Sequence, residues 1–123
     1  MALKMRKSPV RPDPEACPIG TCMDLIGGMW TQNIIWYLSG GARRFSELRE
    51  EVKPISAKML STRLKEMEAI GIVVRTVVDT SPPSVEYSLT PLGRELIPAI
   101  EAIARVGYKL KREQAKKRMS VAR

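Results

Sequence analysis

A mainly helical fold carrying one small antiparallel β-hairpin is the class this sequence predicts, on three observations. Apolar residues recur at helical spacing in several separate stretches. β-Branched residues crowd into one short run, Val73 to Val78. The pair Pro82-Pro83 stands between that run and an alternating one, Val85 to Leu89. At 123 residues, 28% charged and 44% apolar, the chain has the composition of one globular domain with a modest core. No apolar run approaches the roughly 20 residues of a spanning helix, and MALKMRKSPVRPDPEA contains no signal-like apolar segment, so a cytoplasmic protein without membrane contact is expected.

The elements follow in order. After a leader studded with Pro9, Pro12, Pro14 and Pro18, Thr21 to Ile26 has room only for a short helix, closed by Gly27-Gly28. Trp30, Ile34, Ile35 and Leu38 predict a helix over 29–38, ended by Ser39-Gly40-Gly41. A third helix is expected over 46–52, with Leu48 and Val52 one turn apart, and Pro54 biases Lys53 away from helical angles. Ser56 is placed to cap a fourth helix that Gly71 terminates. At about 100° per residue, Ala57, Leu60, Leu64 and Met67 share one face. Lys58, Ser61, Thr62 and Lys65 share the face opposite. Two strands follow, Val73 to Val78 and Val85 to Leu89, joined through Ser81-Pro82-Pro83-Ser84. Thr90 then caps a last helix opening on Pro91, with an apolar stripe from Leu92 to Leu110 and a kink expected at Pro98.

Charge is unevenly distributed. The formal net charge is +8, but four basic residues and no acidic one lie in 1–11, and eight against Glu113 alone lie in 105–123. That leaves nine basic against 12 acidic residues over 12–104, a formal −3. Within this mildly acidic middle, 43–65 holds seven basic residues and only three acidic ones. The local positive charge therefore coincides with the third and fourth helices.

Helix, helix, tight turn, helix, hairpin and long helix is the order of a winged helix-turn-helix. In that fold the second helix of the motif enters the major groove of double-stranded DNA, about 12 Å wide. On this reading Ser56, Lys58, Met59, Ser61, Thr62 and Lys65 face the bases and phosphates. Arg43, Arg44, Lys53, Arg63 and Arg75 contact the flanking backbone, and Ser81, Pro82, Pro83 and Ser84 form the wing. Lysines displace counterions, whereas Ser and Thr are short enough to let the helix approach. A polar face alone is also the ordinary state of any surface helix. The element order is what favours the DNA reading.

An ordered set of short motifs spanning Cys17 to about Tyr108 carries a family resemblance. It comprises Cys17-Pro18-Ile19, Asp24-Leu25-Ile26-Gly27-Gly28 with Trp30, Arg44-Phe45-Ser46-Glu47-Leu48, and Ile55-Ser56 with Lys58-Met59-Leu60. Leu64, Glu68 and Gly71 follow, then Pro82-Pro83 with Val85-Glu86-Tyr87-Ser88-Leu89-Thr90, and Gly93. The sequence resembles the HxlR-type winged helix transcriptional regulators. The resemblance implies a homodimer, joined through the first and last helices, that binds an inverted-repeat operator and most often represses. Leu25, Ile100, Ile103, Val106 and Leu110 are the interface residues expected. Three positions depart from the family pattern: Met29 where a basic residue is common, Pro54 where glycine is usual, and Ser84 where arginine is frequent. Without that arginine the wing contact is expected to weaken.

The resulting division is a flexible basic leader over 1–16, a winged helix-turn-helix domain with N- and C-terminal dimerisation helices over 17–110, and a basic tail over 111–123. A last helix of about 25 residues would span about 37 Å, longer than a small domain is wide, leaving apolar surface for a partner. Two copies would set their recognition helices about 34–36 Å apart, one turn of DNA.

The two cysteines, Cys17 and Cys22, form neither a disulfide framework nor a zinc site, and the absence of His removes the usual base for a cysteine nucleophile. Several regulators of the resembled family sense oxidants or electrophiles through a cysteine at the position of Cys17. The alternative is a small buried hydrophobe. Cys22 is expected to pack. No cofactor, metal or effector ligand is indicated. Two other functions remain open: a winged module that binds protein rather than DNA, and a small thiol enzyme, for which neither CxxC nor a cofactor motif is present.

Overall fold

A computed structural model describes residues 3–6 and 18–121. Its elements are α1 (Pro18–Ile26), α2 (Thr31–Leu38), β1 (Arg43–Arg44), α3 (Phe45–Glu51), α4 (Ala57–Ala69), β2 (Val73–Val78), β3 (Ser84–Leu89) and α5 (Pro91–Val121). The expected helix order is present, with an added strand. β1 pairs antiparallel with β3, Arg43 opposite Tyr87 and Arg44 opposite Glu86, giving a three-stranded sheet in the order β1-β3-β2.

The core is built from the predicted faces. Ile34, Ile35 and Leu38 of α2 meet Leu48 and Val52 around α3 and Leu60, Leu64 and Met67 of α4, and Ile72, Val73 and Leu89 close one side. α2 starts two residues later than its apolar spacing suggests, because Trp30 adopts a left-handed backbone at φ 77°. That conformation costs a side-chain-bearing residue about 1–2 kcal/mol. It turns the chain sharply between α1 and α2 while Trp30 packs against the core.

α4 is closed at both ends by local chemistry. The Ser56 hydroxyl accepts from the Met59 amide at 3.1 Å. At the other end Gly71, at φ 82°, lets its own amide reach the Glu68 carbonyl and the Ile72 amide reach the Met67 carbonyl, both at 3.0 Å. This paired closure satisfies carbonyls that would otherwise be orphaned. Ser56→Ala is expected to lower stability by about 1 kcal/mol, read as a shifted urea midpoint at unchanged slope.

The junction from sheet to α5 is equally specific. Thr90 accepts from the Gly93 amide at 3.1 Å and donates to the Gly71 carbonyl at 2.6 Å, tying the start of α5 to the end of α4. α5 then continues through Pro98 for 31 residues, about 46 Å at 1.5 Å per residue. The boundary expected at residue 110 therefore falls inside a helix, and 111–121 is helical rather than a separate tail.

Candidate nucleic-acid interface

The buried stripe of α4, Leu60, Leu64 and Met67, fastens it to the core. Its opposite side is left in solvent: Lys58, Thr62 and Lys65 are all exposed. Neither lysine has a carboxylate within ion-pair distance among the described residues. Two uncompensated ammonium groups about 10 Å apart along one helix face suit a run of phosphates. Ser61 and Met59 are half-buried at the margins of this face, so the exposed row is narrower than the sequence indicates.

Several expected contacts are differently employed. Arg63 donates through Nε to the Met29 carbonyl at 3.0 Å and pairs with Glu66 at 2.9 Å, so it ties α4 to the α1–α2 turn. Arg43 is half-buried, with Nε on the Glu51 carboxylate at 3.1 Å and a guanidinium nitrogen on the Ala42 carbonyl at 2.9 Å. Its charge is neutralised by α3. Ser56 serves α4 as its cap. Ser84 is not at the wing tip: it is the first residue of β3, opposite Val78, and its hydroxyl is buried without a partner.

The remaining flanking residues stay available in different degrees. Arg44 is exposed, and its backbone amide donates to Glu47 at 2.9 Å to open α3. Lys53 is exposed and paired with Glu50, a surface contact that a phosphate can displace. Arg75 shares the sheet face of Val73 and Leu89 but lies farther along the hairpin, past the edge of the core, where it is exposed. The wing tip, Asp79 to Pro83, is exposed throughout and is stiffened by the Thr80 hydroxyl donating to the Pro82 carbonyl at 2.7 Å.

One residue went unassigned in the sequence. Arg49 on α3 is exposed and lines an open cavity of about 510 Å³ with Phe45, Ser46, Lys53 and Ile55, beside the start of α4. It has no ion-pair partner among the described residues. The signal was there in the basic run 43–65, but spacing within a seven-residue helix gave no reason to single it out.

The surface expected to join two copies divides in two. Leu25 and Ile100 pack against the chain's own core, so they support the fold first. Ile103, Val106 and Leu110 are each more than half exposed and line an apolar groove with Ala102 and Gly107. Cys17 lies outside the described residues. Cys22, expected to pack, is an exposed free thiol on α1. Among the described residues no helix is long and apolar enough to cross a membrane, and no cluster of metal-ligating side chains occurs.

Known proteins share both sequence and shape. The chain is 41% identical over 99 residues to the HTH-type transcriptional regulator YdeP of Bacillus subtilis, covering 80% of this chain and 77% of that protein. A relative from Methanothermobacter thermautotrophicus, also described as an HTH-type transcriptional regulator, is 35% identical over 95 residues, covering 77% and 72%. Among solved structures, the redox regulator HypR in its reduced form superposes with a TM-score of 0.75 at 36% identity, over 81% of this chain and 99% of that one. Reduced YodB of Bacillus subtilis gives 0.69 at 37% identity, over 73% and 89%. The model of the HxlR-like helix-turn-helix family matches residues 25–115. A winged-helix frame, a free cationic row on α4 and this match over most of the domain lead to one assignment: the chain is a transcriptional regulator belonging to the HxlR-like helix-turn-helix family.

Proposed function

We propose that this regulator binds an inverted-repeat operator as a homodimer, with α4 of each subunit in a major groove, and that occupancy represses transcription. The observation that carries the reading is the row Lys58, Thr62 and Lys65, exposed on a helix whose other side is wholly engaged in the core. Arg44, Arg49, Lys53 and Arg75 flank it and supply sequence-independent phosphate contacts. Selection from a random duplex library is expected to return a symmetric site with half-sites about one helical turn apart. Failure to retain any duplex at low salt would refute the reading. A reporter placed behind the selected site is expected to rise when the protein is deleted.

The dimer reading rests on the exposed segment Ile103, Val106 and Leu110 of a helix too long for one domain to cover. Val106→Asp combined with Leu110→Asp places charges on that stripe. Sedimentation is expected to show a dimer for the parent and a folded monomer for the variant, with operator affinity reduced at least tenfold.

A thiol response through Cys17 belongs to the same reading. Its support is that HypR is described as a redox regulator in reduced and oxidised forms, and YodB in diamide-treated and quinone-bound forms. Diamide is expected to change operator affinity of the parent but not of Cys17→Ser.

A further inference from the structure

The outward side of α4 presents few uncharged groups to base edges, beside lysines that can reach guanine or phosphate. Leu60, Leu64 and Met67 are buried, Ala57, Met59, Ser61, Arg63 and Glu68 are half-buried, and Lys58, Lys65 and Glu66 are charged. Only Thr62 and Ala69 are both exposed and uncharged, and Ala69 is the last residue of the helix. Thr62 therefore stands alone between the two lysines, where the helix can come nearest to base edges. Its hydroxyl is already committed: Oγ1 donates to the Lys58 carbonyl at 2.9 Å, one turn back. A hydroxyl has one proton to donate, so what remains for a base is an acceptor lone pair and the Cγ2 methyl. In the major groove an exposed threonine methyl matches one base feature in particular, the C5-methyl of thymine.

We propose that Thr62 is a specificity-determining residue that reads a thymine methyl in each half-site by apolar contact, with its hydroxyl held in the helix. This rests on the operator-binding reading above and adds the base that the helix selects. Serine could make the same back-bond, so the methyl is what threonine adds at this position. The bond holds the side chain in one rotamer, which presents that methyl with little ordering cost at binding.

The contact is separable chemically. Uracil lacks only the C5-methyl, so a duplex selected by the parent protein can be rebuilt with uracil replacing one symmetric thymine pair at a time. For the parent, one such pair is expected to weaken binding about fourfold per half-site, the equilibrium value of burying one methyl. Thr62→Val, which keeps a methyl and loses the hydroxyl, is expected to retain that thymine preference. Thr62→Ser, which keeps the hydroxyl and loses the methyl, is expected to bind the thymine and uracil duplexes alike. A parent protein that binds the selected duplex yet is indifferent to uracil at every position overturns the inference while leaving operator binding intact. So does Thr62→Ser keeping the full preference, or Thr62→Val losing it, since the hydroxyl would then be the reading group. If the parent selects no duplex at all, the operator-binding reading falls first and this contact with it.

Discussion

Lys58→Ala with Lys65→Ala is expected to reduce operator affinity by one to two orders of magnitude at physiological salt while leaving the fold unchanged. Each lysine is exposed and without an ion-pair partner among the described residues, so its removal breaks no internal contact of the chain. Each phosphate neutralised contributes about 0.9 to the slope of log affinity against log salt. A dimer presents every lysine twice. The single variants should therefore lower the magnitude of that slope by up to about 1.8, and the double variant by about twice as much. Titration of one selected duplex at several salt concentrations measures this. The control is Glu68→Ala, on the same helix at the margin of the face, which should leave the slope unchanged. Parallel urea unfolding should show all these variants within about 0.5 kcal/mol of the parent.

Gly93→Ala is expected to be strongly destabilising. Gly93 is buried in the first turn of α5, and a Cβ there would stand 2.2 Å from the Ile72 carbonyl oxygen and 3.2 Å from the Leu89 side chain. The Ile72 oxygen cannot swing away, since it accepts from the Thr90 amide at 3.0 Å. Either α5 moves off the sheet, losing the Thr90 contacts that join it to α4, or the sheet edge bends. Overpacking of this kind costs about 1–3 kcal/mol, and a clash with backbone belongs at the upper end. Thermal unfolding of the variant should show a correspondingly lower midpoint. An unchanged midpoint would mean that α5 does not approach Ile72 this closely.

What the sequence disclosed depended on how far apart the interacting groups lie along the chain. α4 was legible because its apolar period, its Ser56 cap and its Gly71 terminus are all contained within 17 residues. The start of α5 was legible for the same reason, with Thr90 and Pro91 adjacent. β1 was not: a two-residue strand has no period, and its pairing with Tyr87 and Glu86 comes from a distant segment. Nor could spacing show that Trp30 adopts a left-handed backbone, which tertiary packing imposes on a residue that resists it.

Contacts within the candidate interface were hidden by the same logic. Positive charge in 43–65 was visible, but which of its residues engage partners within the chain was not. Arg43 meets Glu51 eight positions on, and Arg63 meets the Met29 carbonyl 34 positions back. Lys58 and Lys65, by contrast, lie exposed on the face their spacing indicates, with no ion-pair partner among the described residues. The reach of α5 was underestimated for a different reason. By sequence, 111–123 stands apart as a basic tail, yet Lys and Arg are good helix formers and extend a helix already nucleated by packing.

The direct test of the central claim is amide chemical-shift mapping of the isotope-labelled protein titrated with its selected duplex. If α4 lies in the groove, the largest shifts fall on 57–66, led by Lys58, Thr62 and Lys65, with smaller ones at Arg44, Arg49 and the hairpin tip. Shifts confined to the basic end of α5, with the amides of α4 unmoved at saturation, would contradict it.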